Sequence, residues 1–176
     1  MPSKIQQWNQ PPKLEIDPKK AYTATLKTEK GDMVFHLHAD KTQVTVNNFV
    51  FLARQGYYNG TIFHRVINDF MAQGGDPTGT GTGGSDLPDL PAEFSDAPFE
   101  RGTVGMARSN DPNSANSQFF ICFAEASFLN GQYTVFGNVV QGMEFVDKIK
   151  RGNPAANGTV TGPDRMVRVR VATDIR

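Results

Sequence analysis

Two stretches alternate between apolar and polar positions, Tyr22 to Thr28 and Met33 to His38, with Glu29-Lys30-Gly31-Asp32 between them. A period of two sends successive side chains to opposite faces of a strand, so the pair predicts a β-hairpin. The period then changes. Val46, Phe49, Val50 and Ala53 recur at helical spacing, which predicts a helix from about Gln43 to Arg54, capped by Thr42 and stopped by Gly56. After a Tyr57-Tyr58-Asn59-Gly60 turn, Phe63 to Ile67 and Phe70 to Gln73 read as short strands around an Asn68-Asp69 turn, closed by Gly74-Gly75. Alternation predicts Arg65 on the face of Phe63 and Ile67, and Met71 on the face of Gln73. A surface that mixes apolar and hydrogen-bonding groups suits a site better than a core.

From Gly74 to Pro91 the chain reads GGDPTGTGTGGSDLPDLP, too rich in Gly and Pro for regular structure. Long loops in compact domains are usually functional. Gly102 to Ala107, Gln118 to Phe123 and Thr134 to Val140 predict three more strands, with a polar loop, Arg108 to Ser117, between the first two. A short helix opens at Gly142-Met143-Glu144 and runs to Ile149, and Val167 to Val171 (VRVRV) completes the sheet. The strands form hairpin-like groups and do not alternate with helices, which argues against a parallel doubly wound sheet. The expected fold is mainly β, a closed eight-stranded antiparallel barrel with two flanking helices, which hides its edges. Residues 1 to 20, with Pro2, Pro11, Pro12 and Pro18, are expected to be an N-terminal extension, largely a mobile arm, on one domain spanning 21 to 176. Trp8, Ile5, Leu14 and Ile16 give that extension apolar groups that can lie against the domain.

The length, 176 residues, suffices for one domain with a sizeable core. Lys plus Arg equals Asp plus Glu at 18 each, which leaves no basic footprint for nucleic acid. Cys122 is the single cysteine, so no internal disulfide is available and a reducing compartment is compatible. The first residues lack an apolar signal region and no 18 consecutive residues are apolar, so a soluble, unexported, cytoplasmic protein without membrane contact is expected; a monomer is the expected state.

Most motifs have plain readings. Gly79 to Gly84 satisfies GxGxxG, but Ser85-Asp86-Leu87-Pro88 follows where a nucleotide fold needs a helix, so a flexible loop is expected. His36 and His38 share a strand face without an evident third ligand, and no metal is expected. No serine has a base beside it, and Cys122 lies in an apolar strand, so no hydrolytic nucleophile is visible. Asn59-Gly60-Thr61 and Asn157-Gly158-Thr159 read as turns.

Arg65 stands out through its company: Gln73 two positions beyond Met71, Gln118 and Phe120 alternating on another strand, then Phe128-Leu129 and Tyr133. FHRVINDFMAQGGD, GTGTGG, GMARSNDPNSANSQFFICF and FLNGQYTVFGNVVQGME resemble, in order, the successive signatures of the cyclophilins, which are peptidyl-prolyl cis-trans isomerases. The resemblance covers roughly Tyr22 to Thr173. It implies that Arg65 is the main catalytic group and that Gln73 contacts the substrate backbone and helps hold the arginine. It also implies a proline pocket lined by Phe70 and Met71, with Ala107, Gln118, Phe120 and Leu129 as further substrate-binding residues. Two positions depart from the common pattern: Phe128 stands where many cyclophilins have Trp, and Tyr133 where many have His. Phe128 keeps an aromatic wall but lacks an indole N–H, so weak binding of cyclosporin-type macrocycles is expected.

The implied activity is isomerisation of X-Pro bonds in peptides and unfolded proteins, a protein-folding or chaperone role that needs no cofactor. A proline-peptide binding or chaperone-like module with incidental catalysis is the alternative. Retained Arg65 and Gln73 favour the enzyme, since binding alone needs only the apolar pocket. A small-ligand carrier would need an empty barrel interior.

Overall fold

The computed structural model describes residues 12 to 174. In chain order they form β1 (Ala21–Thr28), β2 (Gly31–Leu37), α1 (Gln43–Arg54), β3 (Arg65–Ile67), β4 (Met71–Gly74), β5 (Thr103–Met106), β6 (Phe119–Cys122), β7 (Val135–Gln141), α2 (Met143–Val146) and β8 (Met166–Asp174). Single 3-10 turns occur at Ser127–Leu129 and Pro154–Ala156. Every strand pairing is antiparallel, in the order β3-β4-β6-β5-β7-β2-β1-β8.

That order corrects the expected closed barrel. The sheet is open, a curled half-barrel whose terminal strands β3 and β8 do not pair with each other. The reason lies at the seam: β3 has only 3 residues, and the segment that approaches it carries Gly152, Pro154, Gly158, Gly162 and Pro163, which interrupt a ladder. Backbone groups there are satisfied one at a time. Phe63 N donates to Asp164 O, Met166 N to Thr61 O and Val66 N to Gly158 O.

The concave side is packed solid. Leu26, Met33, Phe35, Phe49, Phe119 and Phe136 are buried there, and the edge of Phe119 meets Phe35, Phe49 and Tyr58. Helix α1 covers this side with Val46, Phe49, Val50 and Ala53, the stripe that its periodicity predicts. A filled interior counts against the carrier reading. Phe63 joins this core with Val66, because it precedes β3 and so escapes the alternation that would place it beside Arg65.

The start of α1 is held differently from expectation. Thr42 makes no side-chain cap; its hydroxyl donates to His38 O. Glu93, from the connection between β4 and β5, accepts instead from Val44 N (3.2 Å), Thr45 N (2.7 Å) and the Thr45 hydroxyl (2.6 Å). A carboxylate at a helix N-terminus satisfies orphan donors and favours the helix dipole. Glu93→Ala is therefore expected to cost about 1 kcal/mol and lower the melting temperature. A calorimetric trace identical to that of the parent would show that other contacts hold this end.

Helix α2 is a single turn, 4 residues long, and stops short of the Ile149 predicted from spacing. At the other end, Ile16 is buried, the Asn47 side chain bonds Glu15 N, Ile16 N and Lys13 O, and Asp17 N donates to the Tyr22 hydroxyl. Leu14 stays exposed, while Trp8 and Ile5 lie outside the described residues. Among the described residues, no helix is long and apolar enough to cross a membrane.

Candidate active site

Register builds the site on the opposite face of the sheet from the core. Arg65 pairs with Gln73, Gln73 with Phe120 and Phe120 with Gly105, so their positions form one row across four strands. A second row runs Ile67, Met71, Cys122. Directly opposed residues share a face. Neither row is visible in sequence spacing, because the four strands come from three separated stretches of chain.

An apolar floor forms beneath the first row. Met71, Phe99, Phe120, Cys122, Ala126, Leu129 and Val135 cluster there, apart from the main core, with Phe70 and Tyr133 packed against them. Phe99 stacks on Phe120 at 5.7 Å, and Tyr133 meets Phe120 edge-on at 5.9 Å. Gly105 leaves the space for this stack: a Cβ there would lie 2.8 Å from both rings. Above the floor is an open cavity of about 280 Å³ lined by Arg65, Phe70, Met71, Gln73, Ala107, Arg108, Phe120, Phe128, Leu129 and Tyr133. Its size suits one small ring with its flanking atoms. Phe128 is 71% exposed and tilts against Phe70 at 5.5 Å, forming a wall at the rim.

Thus nine of the ten residues that the sequence nominates line one cavity. Gln118 is the exception: it lines the adjoining polar cavity of about 380 Å³ with Gly81, Gly83, Ser85 and Asn116. Its side chain links two parts of the site. Gln73 Nε2 donates to Gln118 Oε1 (2.9 Å), while Gln118 Nε2 donates to Gly81 O (3.0 Å) and Gly83 O (2.9 Å).

Arg65 is oriented from two sides. Nη1 donates to Gln73 Oε1 (3.1 Å), Nε to Asn157 O (3.0 Å) and Nη2 to Asn157 Oδ1 (3.1 Å). A guanidinium has five N–H donors, so two remain for a ligand. Arg108 lies 4.3 Å over the Tyr133 ring and donates to Gln132 O, adding a cationic edge to the cavity.

The glycine loop is organised by Asp76. Its carboxylate accepts from Thr78 N, the Thr78 hydroxyl, Thr80 N, Gly81 N and Gly83 N, at 2.7–3.2 Å. These amides would otherwise be the donors for a phosphate; here the chain's own carboxylate occupies them, and no helix follows. Burial pushes the Asp76 pKa up, but hydrogen bonds from Thr78, Gly83 and Gly81 outweigh it and hold the carboxyl below the ordinary aspartate range. His64 lies behind Arg65, buried, with neither ring nitrogen partnered. Burial lowers its pKa, Asp76 opposes this, and Arg65 adds to it, so the ring is neutral near pH 7.

Asp76, Arg108 and Asn157 are the participants that sequence reasoning does not single out. Asp76 ends the FMAQGGD motif, and its tie to the glycine loop is local enough to have been read as an aspartate turn. Arg108 and Asn157 meet their partners only through tertiary structure. The His36 and His38 rings lie 5.6 Å apart, with His38 Nε2 bonded to Asn138 Oδ1 (2.9 Å). Among the described residues no group of three or more His, Cys, Asp or Glu is placed to hold a metal ion.

The curled antiparallel sheet thus carries a cationic, apolar-floored pocket on its outer face. The family model for cyclophilin type peptidyl-prolyl cis-trans isomerase/CLD matches residues 23–171. A Brucella suis protein named "Probable peptidyl-prolyl cis-trans isomerase" is 52% identical over 165 residues, covering 88% of this chain and 84% of its own. A Helicobacter pylori peptidyl-prolyl cis-trans isomerase is 44% identical over 139 residues, covering 77% of this chain and 83% of its own. The crystal structure of a Cryptosporidium parvum cyclophilin-type isomerase, obtained in the presence of the dipeptide Ala-Pro, superposes with a TM-score of 0.79 at 30% identity, covering 86% of this chain and 99% of that one. The chain belongs to the cyclophilin-type peptidyl-prolyl cis-trans isomerases and is an enzyme of that class.

Proposed function

We propose that this enzyme accelerates rotation about X-Pro bonds in peptides and unfolded proteins by stabilising the twisted amide with Arg65. The observation that carries this reading is a guanidinium fixed on two sides at the rim of a proline-sized apolar pocket. Rotation about an X-Pro bond meets a barrier near 20 kcal/mol because it breaks amide resonance, yet it cleaves no covalent bond. The catalyst needs only to bind the twisted state better than either planar state. In the twisted state the prolyl nitrogen regains a lone pair, to which the free N–H groups of Arg65 can donate.

Phe70, Met71, Phe120, Leu129 and Tyr133 would hold the ring, while Gln73, Ala107 and Gln118 meet the flanking backbone, so that one half of the peptide turns against the other. The Ala-Pro dipeptide used with the Cryptosporidium parvum relative supports a prolyl ligand for this pocket. Phe128 offers no N–H donor, and weak macrocycle binding is proposed on that ground. A cytoplasmic location is proposed because a single cysteine is compatible with a reducing compartment, and a monomeric state is proposed beside it.

The test is cis-trans exchange in a short X-Pro peptide followed by NMR with the purified protein. Exchange should accelerate at catalytic protein concentrations. A protein that binds the peptide yet leaves exchange at the solvent rate would replace the enzyme with the binding-module reading.

A further inference from the structure

The Asn157-Gly158 turn is fastened against Arg65. Thr159 N donates to Ala156 O at 3.1 Å, and the two central residues, Asn157 and Gly158, have φ of 56° and 83°. This is the mirror-image turn geometry that Asn-Gly favours. Its entrance is fixed by Asn153, whose side chain accepts from Ala155 N (2.9 Å) and whose carbonyl accepts from Gly158 N (2.9 Å). Its exit rests on β3: Gly158 O accepts from Val66 N at 2.8 Å, and a Cβ on Gly158 would lie 2.7 Å from Ile67 Cγ1 and 3.4 Å from Arg65 Cγ. Only glycine allows this approach together with the positive φ.

The turn thereby delivers two acceptors to one guanidinium edge. Asn157 O stands 3.0 Å from Nε and Asn157 Oδ1 3.1 Å from Nη2, while Gln73 holds Nη1. The backbone conformation alone does not call for asparagine, since glycine adopts positive φ at no cost. What asparagine adds is Oδ1. The residue is exposed and absent from both apolar clusters, so its side chain contributes aim and not packing.

We infer that Asn157 is a positioning residue for isomerisation: its two oxygens grip the Nε–Nη2 edge of Arg65 and leave one N–H on Nη1 and one on Nη2 for the twisted prolyl amide. The inference rests on the proposed role of Arg65. It acts through that arginine, so its effect must vanish when the arginine is absent.

The experiment compares wild type, Asn157→Gly, Asn157→Asp, Arg65→Ala and the double variant Arg65→Ala/Asn157→Gly by NMR exchange in a saturating X-Pro peptide, with peptide affinity and melting temperature measured alongside. Asn157→Gly keeps the turn and the carbonyl bond but removes Oδ1, so exchange should fall about tenfold with affinity and melting temperature unchanged. Asn157→Asp restores the acceptor and should return the rate to within about threefold of wild type, and the double variant should match Arg65→Ala. Wild-type exchange in Asn157→Gly beside a slow Arg65→Ala overturns the positioning role alone. A loss from Asn157→Gly that persists in the Arg65→Ala background overturns it too. Wild-type exchange in Arg65→Ala overturns the arginine mechanism and the inference with it.

Discussion

Arg65→Ala is expected to slow catalysed exchange of an X-Pro peptide by two to three powers of ten while leaving the fold intact. A preorganised donor aimed at charge that develops only in the transition state is worth about 3 to 4 kcal/mol in other enzymes. Arg65 meets the structural conditions for such a donor: it is half-buried, held at three N–H groups, and sits beside the apolar floor formed by Met71 and Phe120. Its side chain lies outside the main core, so removal should change the melting temperature little. The loss should fall on the rate at saturating peptide more than on affinity, because Phe70, Met71, Phe120, Leu129 and Tyr133 still offer the ring its pocket. An acceleration near a hundred-thousandfold needs about 7 kcal/mol, so residual catalysis from this pocket should survive. Exchange by the variant at the wild-type rate would assign the chemistry elsewhere.

The largest expected stability effect lies at Asp76. Replacing it with alanine strips the acceptor from four backbone amides and one hydroxyl of the glycine loop, and the destabilisation should be about 3 kcal/mol. Gly81 and Gly83 also carry the carbonyls that anchor Gln118, and Gln118 in turn holds Gln73. Catalysis should therefore weaken as well, though less than in Arg65→Ala.

The pH dependence has a definite sign. The Asp76 pKa is depressed in the folded protein, so its contribution is fully present above the unfolded value, about 3.9, and disappears as pH falls through the folded value. Asp147, paired with Arg101 at 2.6 Å, is depressed too and contributes to the same acid limb. The difference between wild type and Asp76→Asn isolates Asp76: it should be largest near neutral pH and shrink below about pH 4. Denaturant titrations at a series of pH values would measure it, and a pH-independent difference would remove the charge from the account.

Local patterns reached far in this chain because its elements are short and cleanly punctuated. The β1–β2 hairpin, α1 and the VRVRV strand follow from periodicities of two and 3.6 and from turn residues that lie where the chain reverses. The site residues were legible as motifs, and nine of those nominated converge on one cavity. The failures share a cause: they need distance information. Phe63 left the Arg65 face because β3 begins two residues later than its apolar run. Thr42 yielded the cap to Glu93, 48 residues from Thr45, because the connection between β4 and β5 returns to the start of the helix.

Periodicity and turn chemistry thus determined the elements and the antiparallel class, which depend on short-range sterics and side-chain type, while the pocket residues were nominated by the resemblance of the motifs to the cyclophilins. Tertiary structure alone decided whether the sheet closes, which carboxylate fills the glycine loop and what aims Arg65. Closure depends on the geometry of β3 and β8, the two edge strands of the sheet, and the arginine's second anchor on a turn 92 residues further along the chain.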